Sequence, residues 1–101
     1  MKAHTKLYLS EMGYDESDWI GCEVWGCSEK ANDLHHLDCK GMGGSKTKDF
    51  IENIMALCRT HHIKMGDNKR LINYLKACHR SKLIERGVKF NPNLILIEDE
   101  S

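Results

Sequence analysis

Cys22, Cys27, Cys58 and His61 constrain this chain more than any other residues. Cys22 and Cys27 bracket the hexapeptide CEVWGC, where Gly26 permits a tight turn. Cys58 opens LCRTHH about 30 residues on, and His61 stands three residues after it. Structural zinc takes four thiolate or imidazole ligands in a tetrahedron, and a short knuckle joined to a second close pair supplies such a set. The spacing predicts a closed Cys₃His zinc site. Spacing alone leaves open His62 in place of His61, or recruitment of Cys78 or His79. The chain has 101 residues, and a core of that size is modest, so a metal cross-link would matter to its stability. The odd count of five cysteines suits metal ligands plus free thiols, here Cys39 and Cys78, better than a disulfide set.

The rest of the chain reads as one domain over residues 1–101 without internal repeats. HTKLYLSEMG predicts a short helix or turn ending at Gly13, and DESDWIG an acidic loop. DLHHL reads as a short strand, DCKGMGGSKTKD as a glycine-rich loop, and FIENIMALC as a return to the core. RTHHIKMGDN reads as helical. Leu71, Ile72, Leu75, Cys78 and Leu83 predict an amphipathic helix from about Lys69 to Arg86, stopped by Gly87. NLILIE, after Pro92, reads as a strand that closes the sheet or pairs with a partner. Trp19 and Trp25, which flank the knuckle, are expected to be core or packing residues rather than base-stacking platforms.

No apolar run is long enough for a bilayer span, and the N-terminal residues lack the apolar stretch of a signal peptide, so an intracellular, cytoplasmic protein is expected. Net charge is zero but segregated. Seven acids and one base lie between Glu11 and Asp33, whereas nine bases and two acids lie between Arg59 and Lys89. A polyanion would dock on the later part, without strong non-specific binding by the chain as a whole. Lys40, Lys46 and Lys48 in the glycine-rich loop, and Arg59 beside the second histidine pair, are the expected phosphate contacts; Lys64, Lys69 and Arg70 come next.

Two histidine doublets remain, His35-His36 and His61-His62. Neighbours early in a helix diverge by about 100°, so if His61 ligates zinc, His62 points to a different site. Strand neighbours face opposite sides, so His35 and His36 divide their labour: one for a metal, the other for a proton.

In order, Cys22-x₄-Cys27, LHHL, KGMGG and ENIMALCRTHH resemble the HNH endonucleases, the ββα-metal nucleases, and look most like small phage-type members. The resemblance covers Cys22 to about Asn68, nearly half the chain. Two features depart from the family pattern: the four-residue gap in the first knuckle, and histidine where a fourth cysteine is usual. The resemblance implies an α+β fold, a small ββα-metal domain with treble-clef-like zinc. Its core motif would span about residues 20–68, with flanking helices and a short C-terminal strand within 69–97.

By position, the resemblance implies that His35 and His62 hold a catalytic divalent metal and that His36 is the general base. Asn53 would brace the loop and orient that base, and Cys22, Cys27, Cys58 and His61 would hold structural zinc. The expected activity is hydrolysis of DNA phosphodiester bonds, by nicking or double-strand cleavage. Two imidazoles favour Mn²⁺, Ni²⁺, Co²⁺ or Zn²⁺ somewhat over Mg²⁺, which phosphate and water oxygens could still support. Asp33, Asp38 or Asp67 could add a carboxylate. The expected setting is a phage or mobile element in a bacterial host, with a packaging, recombination or defence protein supplying specificity. A different class, a non-catalytic zinc adaptor that binds nucleic acid or protein, needs the Cys₃His framework but not His35, His36, Asn53 and His62 together.

Overall fold

The alternation of DLHHL sends its two histidines to opposite faces of a sheet in the computed structural model, which describes residues 2–37 and 48–97. Strands β1 (Asp33–His36) and β2 (Ile54–Leu57) pair antiparallel, with His35 opposite Met55 and His36 opposite Ile54. Side chains paired across an antiparallel ladder share a face, so His35 lies on the Met55 side and His36 on the Ile54 side. Three α-helices accompany this two-stranded sheet among the described residues: α1 (Ala3–Met12), α2 (Arg59–Met65) and α3 (Ile72–Glu85). The fold is therefore a small α+β one. No described helix is long and apolar enough to cross a membrane.

β2 is the centre of the core. All four of its residues have no solvent exposure. Met55 and Leu57 pack with Val24, Leu37, Leu75, Cys78 and Ile95, while Ile54 and Ala56 pack with Tyr8, Met12, Ile51, Leu83 and Val88. A strand covered on both faces reads as an unbroken apolar run, here IMAL. Each large side chain so buried contributes roughly 1.5–3 kcal/mol.

α1 ends at Gly13 as the sequence suggests. The later helix begins as a 3₁₀ turn, Lys69–Leu71, and continues as α3 to Glu85, just before Gly87. The expected C-terminal strand does not form among the described residues, which end at 97. Pro92–Leu94 is a 3₁₀ turn, with the Asn91 side chain accepting from the Asn93 amide. Only Ile95 is fully buried, whereas Leu96 and Ile97 are exposed. The physical reason is that β2 offers no free outer edge at its centre: the Ala56 amide donates to Glu23 Oε2, and the Ala56 carbonyl accepts from the Glu23 amide. The C-terminal segment is held instead by Glu52, which accepts from the Asn91 amide, and by Lys76, which donates to the Leu96 carbonyl. Trp19 and Trp25 are exposed, at 61% and 51%, so they are not core residues, although Trp25 packs edge-on against Tyr74. The inward places of the knuckle are taken by Cys22, Glu23 and Val24.

Glu23 is a buried carboxylate with every polar direction answered. Tyr8 donates its hydroxyl to Oε2, which also takes the Ala56 amide. His79 Nδ1 lies 2.6 Å from Oε1, and its Nε2 lies 2.7 Å from the Ile51 carbonyl. A carbonyl only accepts, so Nε2 carries a hydrogen; a second hydrogen then sits between Nδ1 and Glu23. Burial alone would push the His79 pKa down, but the charge and hydrogen bond of Glu23, with the Ile51 carbonyl, raise it above its ordinary value. His79 and Glu23 thus form a wholly buried ion pair.

His79→Gln should cost roughly 3–5 kcal/mol, because it leaves the Glu23 charge buried without its partner. Since His79's folded pKa is raised, its contribution is full below the unfolded value of about 6.5 and is lost as pH rises through the folded value. Urea titrations of both proteins at several pH values, with zinc held constant, should show the wild-type advantage shrinking toward alkaline pH.

Candidate functional site

Cys22 and Cys27 come from the knuckle before β1, where Gly26 adopts a left-handed φ of 82°. Cys58 caps the N-terminus of α2, its sulfur accepting from the His61 amide at 3.5 Å, and His61 lies in the first turn. The ligand atoms of Cys22, Cys27, Cys58 and His61 all lie within 4.8 Å of one another. His61 Nδ1 is 3.3 Å from Cys58 Sγ and 3.5 Å from Cys22 Sγ. In tetrahedral zinc, bond lengths of about 2.3 Å to sulfur and 2.05 Å to nitrogen give an S···N edge of about 3.6 Å. The donor set and its spacing therefore fit zinc, and these four residues could hold it. Cys78 and His79 do not join them: Cys78 is buried in the core, and both His79 nitrogens face Glu23 and Ile51.

Zinc binding must displace thiol protons here. Burial pushes the Cys22 thiol up to about 12. Burial also acts upward on Cys58, but the His61 amide, the Cys22 and Cys27 thiols and the Thr60 amide together hold it below its ordinary value.

His62, one residue on, faces another way. Its ring centroid lies 4.9 Å from that of His35, with the planes tilted by 60°. Two imidazoles sharing one ion at about 2.1 Å per bond would place their centroids roughly 4.5–5.2 Å apart, and the separation of this pair lies in that range. His62 Nδ1 donates to Asp33 Oδ2 at 3.0 Å, which would leave Nε2 to bind a metal. A carboxylate behind a metal-binding imidazole fixes its tautomer and raises its basicity. Arg59 donates to both Asp33 oxygens, at 2.8 and 3.0 Å, and this contact, ahead of the His62 bond, holds the Asp33 carboxyl below the usual range. Burial, then the neighbouring His62, lowers the His35 pKa. Gly66 makes the close approach possible: a Cβ there would lie 2.6 Å from the His62 carbonyl, 2.9 Å from its Cδ2 and 3.2 Å from His35 Cε1.

His36, on the opposite face of β1, bonds through Nε2 to Asp49 Oδ1 at 2.8 Å. Both side chains are more than a third exposed. Asn53 is fully buried just ahead of β2. Its Nδ2 donates to the Lys48 carbonyl at 2.9 Å, and its own carbonyl accepts from the Leu37 amide at 2.8 Å. It therefore pins the chain on both sides of residues 38–47, while the bond to His36 described here comes from Asp49. A cleft of about 320 Å³ opens at this point, lined by both strand histidines, Asn53, Lys48, Asp67, Asn68 and Lys69 among others.

Of the expected phosphate contacts, Lys48 is exposed at this cleft, whereas Lys40 and Lys46 lie outside the described residues, as does Asp38. Arg59 is exposed, and its planar fork also donates to both oxygens of Asp33. Sequence reasoning missed Asp49, Glu23 and the role of Asp33. Asp33 was within reach, since residues two apart on a strand share a face and so Asp33 accompanies His35. Asp49 carried no such signal, being thirteen positions from its partner. No protein-family model, no curated protein and no solved structure matches the chain.

Cys58→Ser should lose zinc and much of its cooperative unfolding, as read by metal analysis and thermal denaturation. Zinc binding to the wild type should release about two to three protons per ion near neutral pH, so its affinity should climb steeply with pH. Titration in weakly buffered solution with a pH indicator measures that release.

Proposed function

We propose that this chain is a metal-dependent DNA endonuclease of the HNH, ββα-metal kind, which cuts the backbone by hydrolysis. One observation carries the reading. A paired set of imidazoles, His35 with His62, stands beside a separately oriented imidazole, His36 on Asp49, and both strand histidines line one cleft. The Cys₃His cluster is complete without any of them. A zinc adaptor would require only that cluster.

In this reading His36 is the general base. Its Nε2–H donates to Asp49, which leaves Nδ1 unprotonated and able to take a proton from water. The water oxygen forms a bond to phosphorus, its proton passes to Nδ1, and the Asp49 carboxylate stabilises the imidazolium. The bond from phosphorus to the 3′ oxygen breaks, its electron pair stays on that oxygen, and a solvent proton completes the 3′-hydroxyl beside a 5′-phosphate. A divalent cation on His35 and His62 would neutralise the phosphate and the departing oxygen. Mg²⁺, Mn²⁺ or Ni²⁺ suits that role, as the neutral imidazoles leave room for water and phosphate oxygens. Lys48 and Lys69, at the cleft, would position the backbone without reading sequence. Target choice would fall to a partner, of a packaging, recombination or defence kind in a phage or mobile-element setting.

The test is nicking of supercoiled plasmid by wild type, His36→Ala and Asp49→Asn, each with EDTA, Mg²⁺, Mn²⁺ and Ni²⁺. Cleavage should require added metal. His36→Ala should lower the rate by roughly 10²–10⁴-fold, the usual contribution of a general base. Asp49→Asn should lower it about tenfold, the size of one hydrogen bond to a charged group. Equal cleavage by all three proteins would remove His36 as the base, and no cleavage in any metal would favour the adaptor. Gly66→Ala should weaken divalent-metal binding at His35 and His62 at least tenfold while zinc content stays at one ion, measured by equilibrium dialysis.

A further inference from the structure

The His36–Asp49 pair has a third neighbour that the hydrolytic reading does not use. His4 stands in the first turn of α1, and its ring meets that of His36 edge-on, with centroids 5.0 Å apart. One ligand atom from each of His4, His36 and Asp49 lies within 4.8 Å of the others. Two imidazoles and a carboxylate, brought from a helix, a strand and the turn before β2, form the donor set that suits Zn²⁺, Ni²⁺ or Co²⁺. Mg²⁺, which prefers a shell of oxygens, is poorly served by it. Partial exposure leaves room for water to complete the coordination. This cluster is distinct from the His35–His62 pair because His36 and His35 leave β1 on opposite faces.

We infer that His4, His36 and Asp49 form an additional site for a transition-metal cation of the Zn²⁺ class, and that its occupation switches the nuclease off. The site itself rests on geometry alone, whereas the switching rests on the proposed role of His36. Nε2 of His36, the atom facing Asp49, is its ligand atom. A cation bound there replaces the Nε2 proton, and a neutral imidazole ligated at one nitrogen carries its hydrogen on the other. Nδ1 then holds a proton and no longer accepts one from water. Asp49, which orients the base when the site is empty, becomes a ligand when it is filled.

The experiment uses the full chain with one equivalent of zinc bound, checked by metal analysis. Equilibrium dialysis against Co²⁺ is run on wild type, His4→Leu, Asp49→Ala and His62→Ala. His4→Leu and Asp49→Ala should each lose the same equivalent, with affinity down at least tenfold, while His62→Ala loses a different one. Unchanged Co²⁺ binding in either His4→Leu or Asp49→Ala, with circular dichroism and zinc content intact, would overturn the site.

In parallel, plasmid nicking in Mg²⁺ is measured with and without micromolar Zn²⁺, and the ratio is taken within each protein. The ratio should fall at least tenfold for wild type and stay near one for His4→Leu. Equal inhibition of both would mean that Zn²⁺ acts by displacing the cation at His35 and His62, and would overturn the switch while leaving the dialysis result to decide the site. If wild type fails to nick at all, the nuclease reading and the switch fall together, and the Co²⁺ stoichiometry still decides whether the site exists.

Discussion

The buried carboxylate of Glu23 holds four parts of the chain in register. Its backbone joins the cysteine knuckle to β2 through the Ala56 carbonyl, and its side chain takes the Ala56 amide, the Tyr8 hydroxyl of α1 and the His79 imidazole of α3. Through Nε2, His79 passes the connection to Ile51, the first residue of the turn that carries Asn53. A charge with no solvent exposure is costly unless paired and hydrogen-bonded, so this arrangement permits few alternatives. It closes the β2 edge, and that closure turns the C-terminal segment away from the sheet.

That scaffold fixes where the Cys/His cluster and the His35–His62 pair lie. α2 starts at a cysteine whose sulfur caps the helix, and its next turns present His61 to one side and His62 to the other. His61 completes a compact thiolate set, whereas His62 meets His35 across the strand–helix junction and is backed by Asp33. The knuckle cluster offers four donor atoms, the number for a closed structural site, while a metal held by two imidazoles alone would keep positions for water or substrate. The Cys58–His61 half of the cluster and the His62 imidazole share one short helix, so the geometry of one is tied to that of the other.

The elements that sequence reasoning found share a property: each carries its signal within a few residues. The histidine doublet on a strand, the CEVWGC knuckle, the cysteine-capped helix and the apolar stripe of α3 are local patterns. The misplaced elements depended on distant neighbours. NLILIE has the composition of a strand, but a strand requires a free edge, and Glu23 occupies the one at Ala56. The tryptophans are apolar enough for a core, yet the knuckle sends smaller side chains inward.

The sequence by itself determined which donor atoms the protein has and which of them are neighbours in spacing: three cysteines and a histidine at knuckle intervals, and two histidine doublets on elements of different period. Period two on a strand and 100° on a helix were enough to separate each doublet into two directions. Only the tertiary structure decided what waits in those directions. Asp49 faces His36 and His4 packs against it, and Asp33 faces His62. Those partners lie 13 to 32 positions away along the chain, so their meeting is set by the packing of α1, β1 and α2 around β2. Local patterns hold no record of such pairings, because spatial proximity between remote residues follows from how the buried faces fit.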